Sequence, residues 1–186
     1  MVLVLASASP RRAEILERAG IRFVVRPVTV DETRLAAESS EDHVRRLARA
    51  KAGASDAQAL VLAADTTVRV DNEILEKPRD AADAKRMLRL IEGRSHDVLT
   101  GFCLRLAEQY ITGHELTRVH FRPMTEAEID GYVVTGEPMD KAGAYGIQGF
   151  ASRYIDRIEG CYFNVVGLPV ARVWAELSRL APAVIA

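Results

Sequence analysis

Apolar positions in this chain fall into short unbroken runs and helix-spaced stripes, and the two kinds of segment alternate. Residues 2–6 are nearly all apolar, as a strand buried on both faces requires. Behind them Ser9 reads as an N-cap and Pro10 as the first helical position, with Ala13, Leu16 and Ala19 on one face and Gly20 as the stop. Residues 21–30 predict a strand interrupted at Pro27. Ser40 is expected to cap a second helix, with Glu41 and Asp42 in its first turn and Val44, Leu47, Ala48 and Lys51 at i, i+3, i+4 and i+7. Residues 60–64 form a second apolar run that is expected to end at Asp65-Thr66, and residues 68–75 read as a hairpin around Asp71-Asn72. Asp80 then caps a helix whose inward face is Ala84, Met87, Leu88 and Ile91, ended by Gly93.

The second half adds alternating strands through Val98, Phe102, Leu104 and Leu106 and through Val119 and Phe121, with turns expected near Gln109 and Gly113. Thr125 and Glu128 form a capping box for a helix carrying Ile129, Tyr132 and Val133. Four glycines fall between Gly136 and Gly149, a density that suits a loop held close to a ligand. Strands are expected over residues 154–158 and 162–166. A last helix follows Gly167-Leu168-Pro169, with Val170, Val173, Trp174 and Leu177 facing in. No repeat or linker interrupts the pattern. It predicts a single α/β domain over residues 1–186, with a mixed sheet and two lobes.

Composition narrows the function. The 186 residues carry 25 basic and 26 acidic side chains, a net charge of -1, so no basic excess favours nucleic acid or a membrane surface. Nothing approaches the roughly 18 apolar residues of a membrane span, and the N-terminus lacks the pattern of a secretory signal. Cys103 and Cys161 have no ligand-type spacing and read as free core thiols of a cytoplasmic protein, and the four histidines form no zinc motif.

The candidate chemistry lies in separated segments. Ser7, Arg11 and Arg12 stand around the start of the first helix, where two cations oppose the macrodipole by about 0.3–1 kcal/mol each unless an anion joins them. That corner is either a phosphate site or a solvated basic turn. Lys51 ends an apolar stripe, and either snorkels to water or points into a site. Asp31, Glu32, Asp65 and Glu76 are candidate acids, and Lys77 a second candidate lysine. Carboxylates beside phosphate ligands usually hold Mg²⁺, and one of them can deprotonate a water. A P-loop and a nucleophile elbow are both missing. The residues therefore leave two readings: metal-assisted hydrolysis of a phosphorylated small molecule, or a plain α/β binding domain.

The chain resembles the Maf family of nucleoside triphosphate pyrophosphatases, specifically its dTTP/UTP branch. The resemblance rests on residues 5–12 (Leu-Ala-Ser-Ala-Ser-Pro-Arg-Arg), 64–66 (Ala-Asp-Thr), 76–80 (Glu-Lys-Pro-Arg-Asp), 140–149 (Asp-Lys-Ala-Gly-Ala-Tyr-Gly-Ile-Gln-Gly) and 164–169 (Asn-Val-Val-Gly-Leu-Pro). It implies a long mixed β-sheet flanked by helices, similar to the inosine triphosphatases, with the nucleotide in a cleft between two lobes. It also implies hydrolysis of a nucleoside triphosphate to the monophosphate and pyrophosphate with Mg²⁺ or Mn²⁺, as a house-cleaning activity. By resemblance Asp65 is the general base and a metal residue. Glu32 is the second metal residue, with Asp31 as the alternative. Arg11, Arg12, Lys51 and Lys77 take phosphate charge, and Ser7 lines the same corner. Arg11, Thr66 and Gln148 match the branch acting on dTTP and UTP, and an amide such as Gln148 can both donate to and accept from a pyrimidine edge. The branch acting on 7-methyl-GTP lacks this combination. The family's older name implies an alternative, a nucleotide-binding regulator of septum formation acting through a protein partner. A homodimer is compatible with either role.

Overall fold

Leu3, Val4 and Leu5 are all buried and form strand β1 (Leu3–Leu5), which pairs in parallel with β2 (Phe23–Val25) on one side and β3 (Leu60–Val70) on the other. A strand with parallel neighbours and both faces covered must be apolar throughout, which is why its sequence shows no alternation. The computed structural model describes residues 2–182. Its seven strands form one mixed sheet in the order β2-β1-β3-β5-β6-β7, where β5 is Ser95–Leu106, β6 is Gln109–Phe121 and β7 is Ile155–Glu159; β4 (Glu73–Leu75) pairs with β3. Helices flank this sheet, as the alternating pattern predicts.

The chain divides into two compact units, one of residues 1–65, 100–115 and 167–186, the other of residues 66–99 and 116–166. In the first unit, helix α1 (Pro10–Arg18) buries Ile15 and Leu16, whereas Ala19, expected on the inward face, is an exposed C-cap residue. The expected strand over residues 21–30 shrinks to β2; beyond it Pro27 has no N–H to donate. Helix α2 (Ser40–Gly53) is capped by Ser39 rather than Ser40: the Ser39 hydroxyl accepts from the Asp42 N–H at 3.0 Å, and Ser40 is a buried first-turn residue. The two serines are chemically alike, so spacing alone cannot choose between them. At its other end, Arg105 of β5 donates to the carbonyls of Gly53 (3.2 Å) and Ser55 (3.3 Å), and also to that of Asp56, replacing N–H donors that a helix terminus lacks. Gly101 of β5 lies directly under α2, where a Cβ would overlap the Val44 carbonyl and stand 2.8 Å from the Arg45 nitrogen. Helix α6 (Val170–Leu180) turns Val173 and Leu177 inward, while Trp174, expected beside them, is 39% exposed. Gly113 is not a turn residue. It lies inside β6, where a Cβ would come 2.6 Å from the Phe102 ring, and the turn forms at Ala107, with φ +50°.

Strand β3 does not stop at Asp65 as its apolar run suggests. It pairs with β1 as far as Leu62, opposite Leu5, and with the antiparallel β4 from Val68, opposite Leu75. β3 also pairs with β5, and Asp65 lies between its Leu62 pairing with β1 and its Val68 pairing with β4.

In the second unit, the hairpin between β3 and β4 turns at Asp71, with φ +50°, and helix α3 (Ala81–Ile91) is capped by Asp80, whose carboxylate accepts from the Asp83 N–H at 2.8 Å. Ala84, Met87, Leu88 and Ile91 join Val68, Val98, Phe121, Ile129 and Tyr132 in one core. Helix α4 (Glu126–Val134) opens with the expected capping box. Residues 162–166, expected as a strand, form helix α5 (Tyr162–Val166). A five-residue segment that is apolar but for Asn164 does not distinguish a strand from a turn of helix. Cys103 is buried in the first unit, which pushes its thiol pKa up to about 11, while Cys161 is only half-buried. Among the described residues no helix is long and apolar enough to cross a membrane.

Candidate active site

The segment between β1 and α1 folds around the Arg12 guanidinium. Arg12 Nη1 donates to Ser7 Oγ at 3.0 Å and to the Ala64 carbonyl at 2.7 Å, and its Nε donates to the Gly167 carbonyl at 2.8 Å. Ser7 Oγ also accepts from the Ser9 N–H at 3.2 Å. One fork-shaped cation therefore joins the start of α1, the β3 residue preceding Asp65, and the approach to α6. Burial lowers the Arg12 pKa, Asp65 and Glu32 oppose that shift, and the neighbouring charge of Arg11 adds to it. Ser9 occupies the N-cap position with extended backbone, but its side chain makes no cap bond, and the first turn holds no acid. The half-buried Arg11 sits in that turn.

Lys51 decides between its two readings. It lies in the last turn of α2 with its side chain only 12% exposed, and its Nζ donates to Asp65 Oδ1 at 2.7 Å while pairing with Glu32 Oε1 at the same distance. An ammonium turned onto two carboxylates is not snorkelling to water. The Asp65 side chain is 13% exposed and that of Glu32 56%, so one acid is sheltered and the other reaches in from a solvated segment. Asp31 is otherwise engaged: its Oδ1 accepts from the Thr33 N–H at 2.9 Å, a local turn that also holds its pKa below the usual carboxylate range.

These residues fit a hard divalent cation. Glu32 and Asp65 offer carboxylate oxygens that converge on a single cation position, filled by the Lys51 ammonium. Among the described residues no group of three or more His, Cys, Asp or Glu side chains could hold a metal ion. An ion held by these two acids would therefore complete its shell with water and substrate phosphate oxygens, the usual habit of Mg²⁺.

The structure thus brings Ser7, Arg12, Glu32, Lys51 and Asp65 together within the first unit. Thr66, Lys77 and Gln148 belong to the second. Thr66 follows Asp65 in β3 and is half-buried; Lys77 and Gln148 are exposed. The Gly143 N–H donates to the Glu76 carbonyl at 3.1 Å, so the glycine-rich loop is tied to the segment carrying Lys77. Gly143 has φ +72°, and a Cβ there would come 2.8 Å from Val68 Cγ2, so this contact needs glycine. Lys141 pairs with its neighbour Asp140 at 2.6 Å, and Arg79 is a surface residue on Asp83. Sequence reasoning missed the carbonyls of Ala64 and Gly167 as Arg12 acceptors, because a backbone oxygen leaves no signature in residue type.

A family profile described as Maf-like protein matches residues 2–180. The dTTP/UTP pyrophosphatase of Koribacter versatilis (strain Ellin345) is 50% identical over 182 residues, covering 96% of this chain and 94% of the relative. That of Symbiobacterium thermophilum is 52% identical over 180 residues, covering 95% and 93%. That of Bacillus cytotoxicus is 48% identical over 179 residues, covering 95% and 94%. With a match this long, and with relatives this similar across nearly their whole length, the chain belongs to the Maf family.

Proposed function

We propose that this protein is a nucleoside triphosphate pyrophosphatase that hydrolyses dTTP and UTP to the monophosphate and pyrophosphate. The observation that carries the reading is the Glu32–Lys51–Asp65 cluster in a chain about half identical to proteins named for that activity. A water attacks the α-phosphorus, Asp65 takes its proton, the bond to the β-phosphate oxygen breaks, and pyrophosphate leaves. Lys51 orients the Asp65 carboxylate through its 2.7 Å bond. Arg12 fixes the corner that Ser7 lines, Arg11 and Lys77 supply phosphate charge, and Thr66 and Gln148 serve substrate and base recognition. Glu32 and Asp65 would hold Mg²⁺ or Mn²⁺, which supplies neutralisation of phosphate charge when bound. Free nucleotides of the cytoplasm are the substrate pool this reading implies.

The reading as a septum regulator is not favoured, since the relatives reported above are named as enzymes. The deciding experiment measures pyrophosphate release from dTTP, UTP, CTP, ATP, GTP and 7-methyl-GTP with Mg²⁺, with Mn²⁺ and with EDTA. Metal-dependent release from dTTP and UTP above the others is expected. Release of orthophosphate instead, or no turnover by folded protein, would reject the assignment.

A further inference from the structure

The turn that carries Gln148 is held at both flanks by one carboxylate. The Gly149 N–H donates to the Gly146 carbonyl at 3.1 Å and closes the turn. On its far side the Phe150 N–H donates to Glu137, at 2.9 Å to Oε2 and 3.1 Å to Oε1. On its near side the Gly146 N–H donates to the Tyr132 hydroxyl at 3.2 Å, and that hydroxyl donates to Glu137 Oε1 at 2.8 Å. Tyr132 of α4 is fully buried, and its ring stacks on Phe150 at 5.8 Å and 10°. The two glycines make the approach feasible. A Cβ at Gly149 would overlap the Glu137 carboxylate, and one at Gly146 would come 2.7 Å from Cε of Lys141, whose Nζ donates to the Glu137 carbonyl at 2.7 Å. Gln148 itself stays exposed at the tip of this braced turn.

We propose that Glu137 is a positioning residue for base selection, acting through the turn it braces so that the Gln148 amide is ordered before substrate arrives. This rests on the reading of Gln148 as the group that meets the base. An amide on a free loop would have to be ordered on binding, which weakens both affinity and discrimination; a loop fixed by bonds to an ionised acceptor is ordered in advance. Discrimination between bases depends on such polar groups being held where only the right partner satisfies them.

The test compares Glu137→Ala, Glu137→Gln and Tyr132→Phe with Gln148→Ala in the full chain. Two readouts are used: amide hydrogen exchange at Gly146 and Phe150, and the ratio of kcat/KM for dTTP to that for GTP. In Glu137→Ala the Phe150 amide is expected to exchange at least about tenfold faster, the loss of a bond to a charged acceptor, while amides of β6 keep their protection. The dTTP preference falls toward that of Gln148→Ala, chiefly through KM. Glu137→Gln, which keeps one acceptor oxygen, recovers much of both, and Tyr132→Phe frees Gly146 more than Phe150. The double variant Glu137→Ala/Gln148→Ala is no less selective than Gln148→Ala alone. Unchanged Phe150 protection in folded Glu137→Ala, or unchanged base preference where Gln148→Ala does alter it, would overturn the proposal. If Gln148→Ala leaves the ranking intact, the base-reading assignment fails with it, and the exchange data separately report whether Glu137 braces the turn.

Discussion

Lys51 and Asp65 meet at 2.7 Å, one from the last turn of α2 and the other from the stretch of β3 between its pairings with β1 and β4. The same ammonium holds Glu32, so two acids are kept together by a cation belonging to the chain. Removing Asp65, the general base of the proposed reaction, should stop turnover without unfolding the protein. Asp65→Asn is expected to lower kcat by about 10²–10⁴-fold, the usual contribution of a general base, with a urea midpoint close to that of the parent. Near-parental kcat would remove Asp65 from the chemistry.

If a divalent ion is held by Glu32 and Asp65 as proposed, the Lys51 ammonium competes for its position. Lys51→Met should therefore tighten binding of Mn²⁺ alone, measured by calorimetry without nucleotide, while still lowering kcat. Two carboxylates without their cation repel each other and favour a replacement ion. Weaker Mn²⁺ binding by the variant would place the ion elsewhere.

The Arg12 clamp predicts that lysine is no substitute. Arg12 reaches three acceptors through a planar fork, and a lysine is a single point charge on a flexible stem. Arg12→Lys should lose about 2–3 kcal/mol in urea unfolding, the scale for bonds from a charged donor to partners then left unsatisfied. A parental midpoint would show that the clamp is not a determinant of stability.

His96 should make stability depend on pH. Its imidazole is buried against Phe121 and Tyr145, with Nε2 2.7 Å from the Tyr145 hydroxyl, and burial pulls its pKa from 6.5 down to about 4. Between those values the unfolded chain binds a proton that the folded chain refuses. Stability should therefore fall as pH drops from 6.5 to about 4 and level off below. The full change from this group is on the order of 3 kcal/mol. His96→Asn, which cannot titrate, should flatten that part of a curve built from urea midpoints; an unchanged slope would assign the dependence to other groups.

Gly101 predicts a steric effect transmitted to the site. A Cβ there would overlap the Val44 carbonyl of α2, the helix that carries Lys51. Gly101→Ala should destabilise by about 1–3 kcal/mol, as overpacking does, and should lower kcat as α2 shifts. Parental stability and rate together would mean that the backbones have more room than their spacing suggests.

The sequence was most readable where one local rule governs. The apolar β1, the inward face of α3 and the Thr125–Glu128 capping box all follow from burial or capping chemistry alone. It was least readable where distant partners decide. β3 runs on past Asp65, where β4 pairs with it from Val68, and Gly113 is a strand residue whose missing side chain leaves room for the Phe102 ring. The candidate residues of the site were legible as residue types, and the meeting of Lys51 with Asp65 and Glu32 settled what helical spacing left open. The carbonyl acceptors of Arg12 and the bracing by Glu137 depend on backbone atoms brought near by folding, so no pattern of side chains announces them.

The guanidinium of Arg12 and the carbonyl of Gly167 are separated by 155 positions in the chain. During synthesis, β1, α1 and α2 can collect as they emerge, but one arm of the clamp has no acceptor until residue 167 has been made. A nascent chain therefore holds Lys51 and Asp65 well before it holds the finished corner. A chain ended before Gly167 would carry every side chain of the corner and still leave Arg12 Nε without this acceptor.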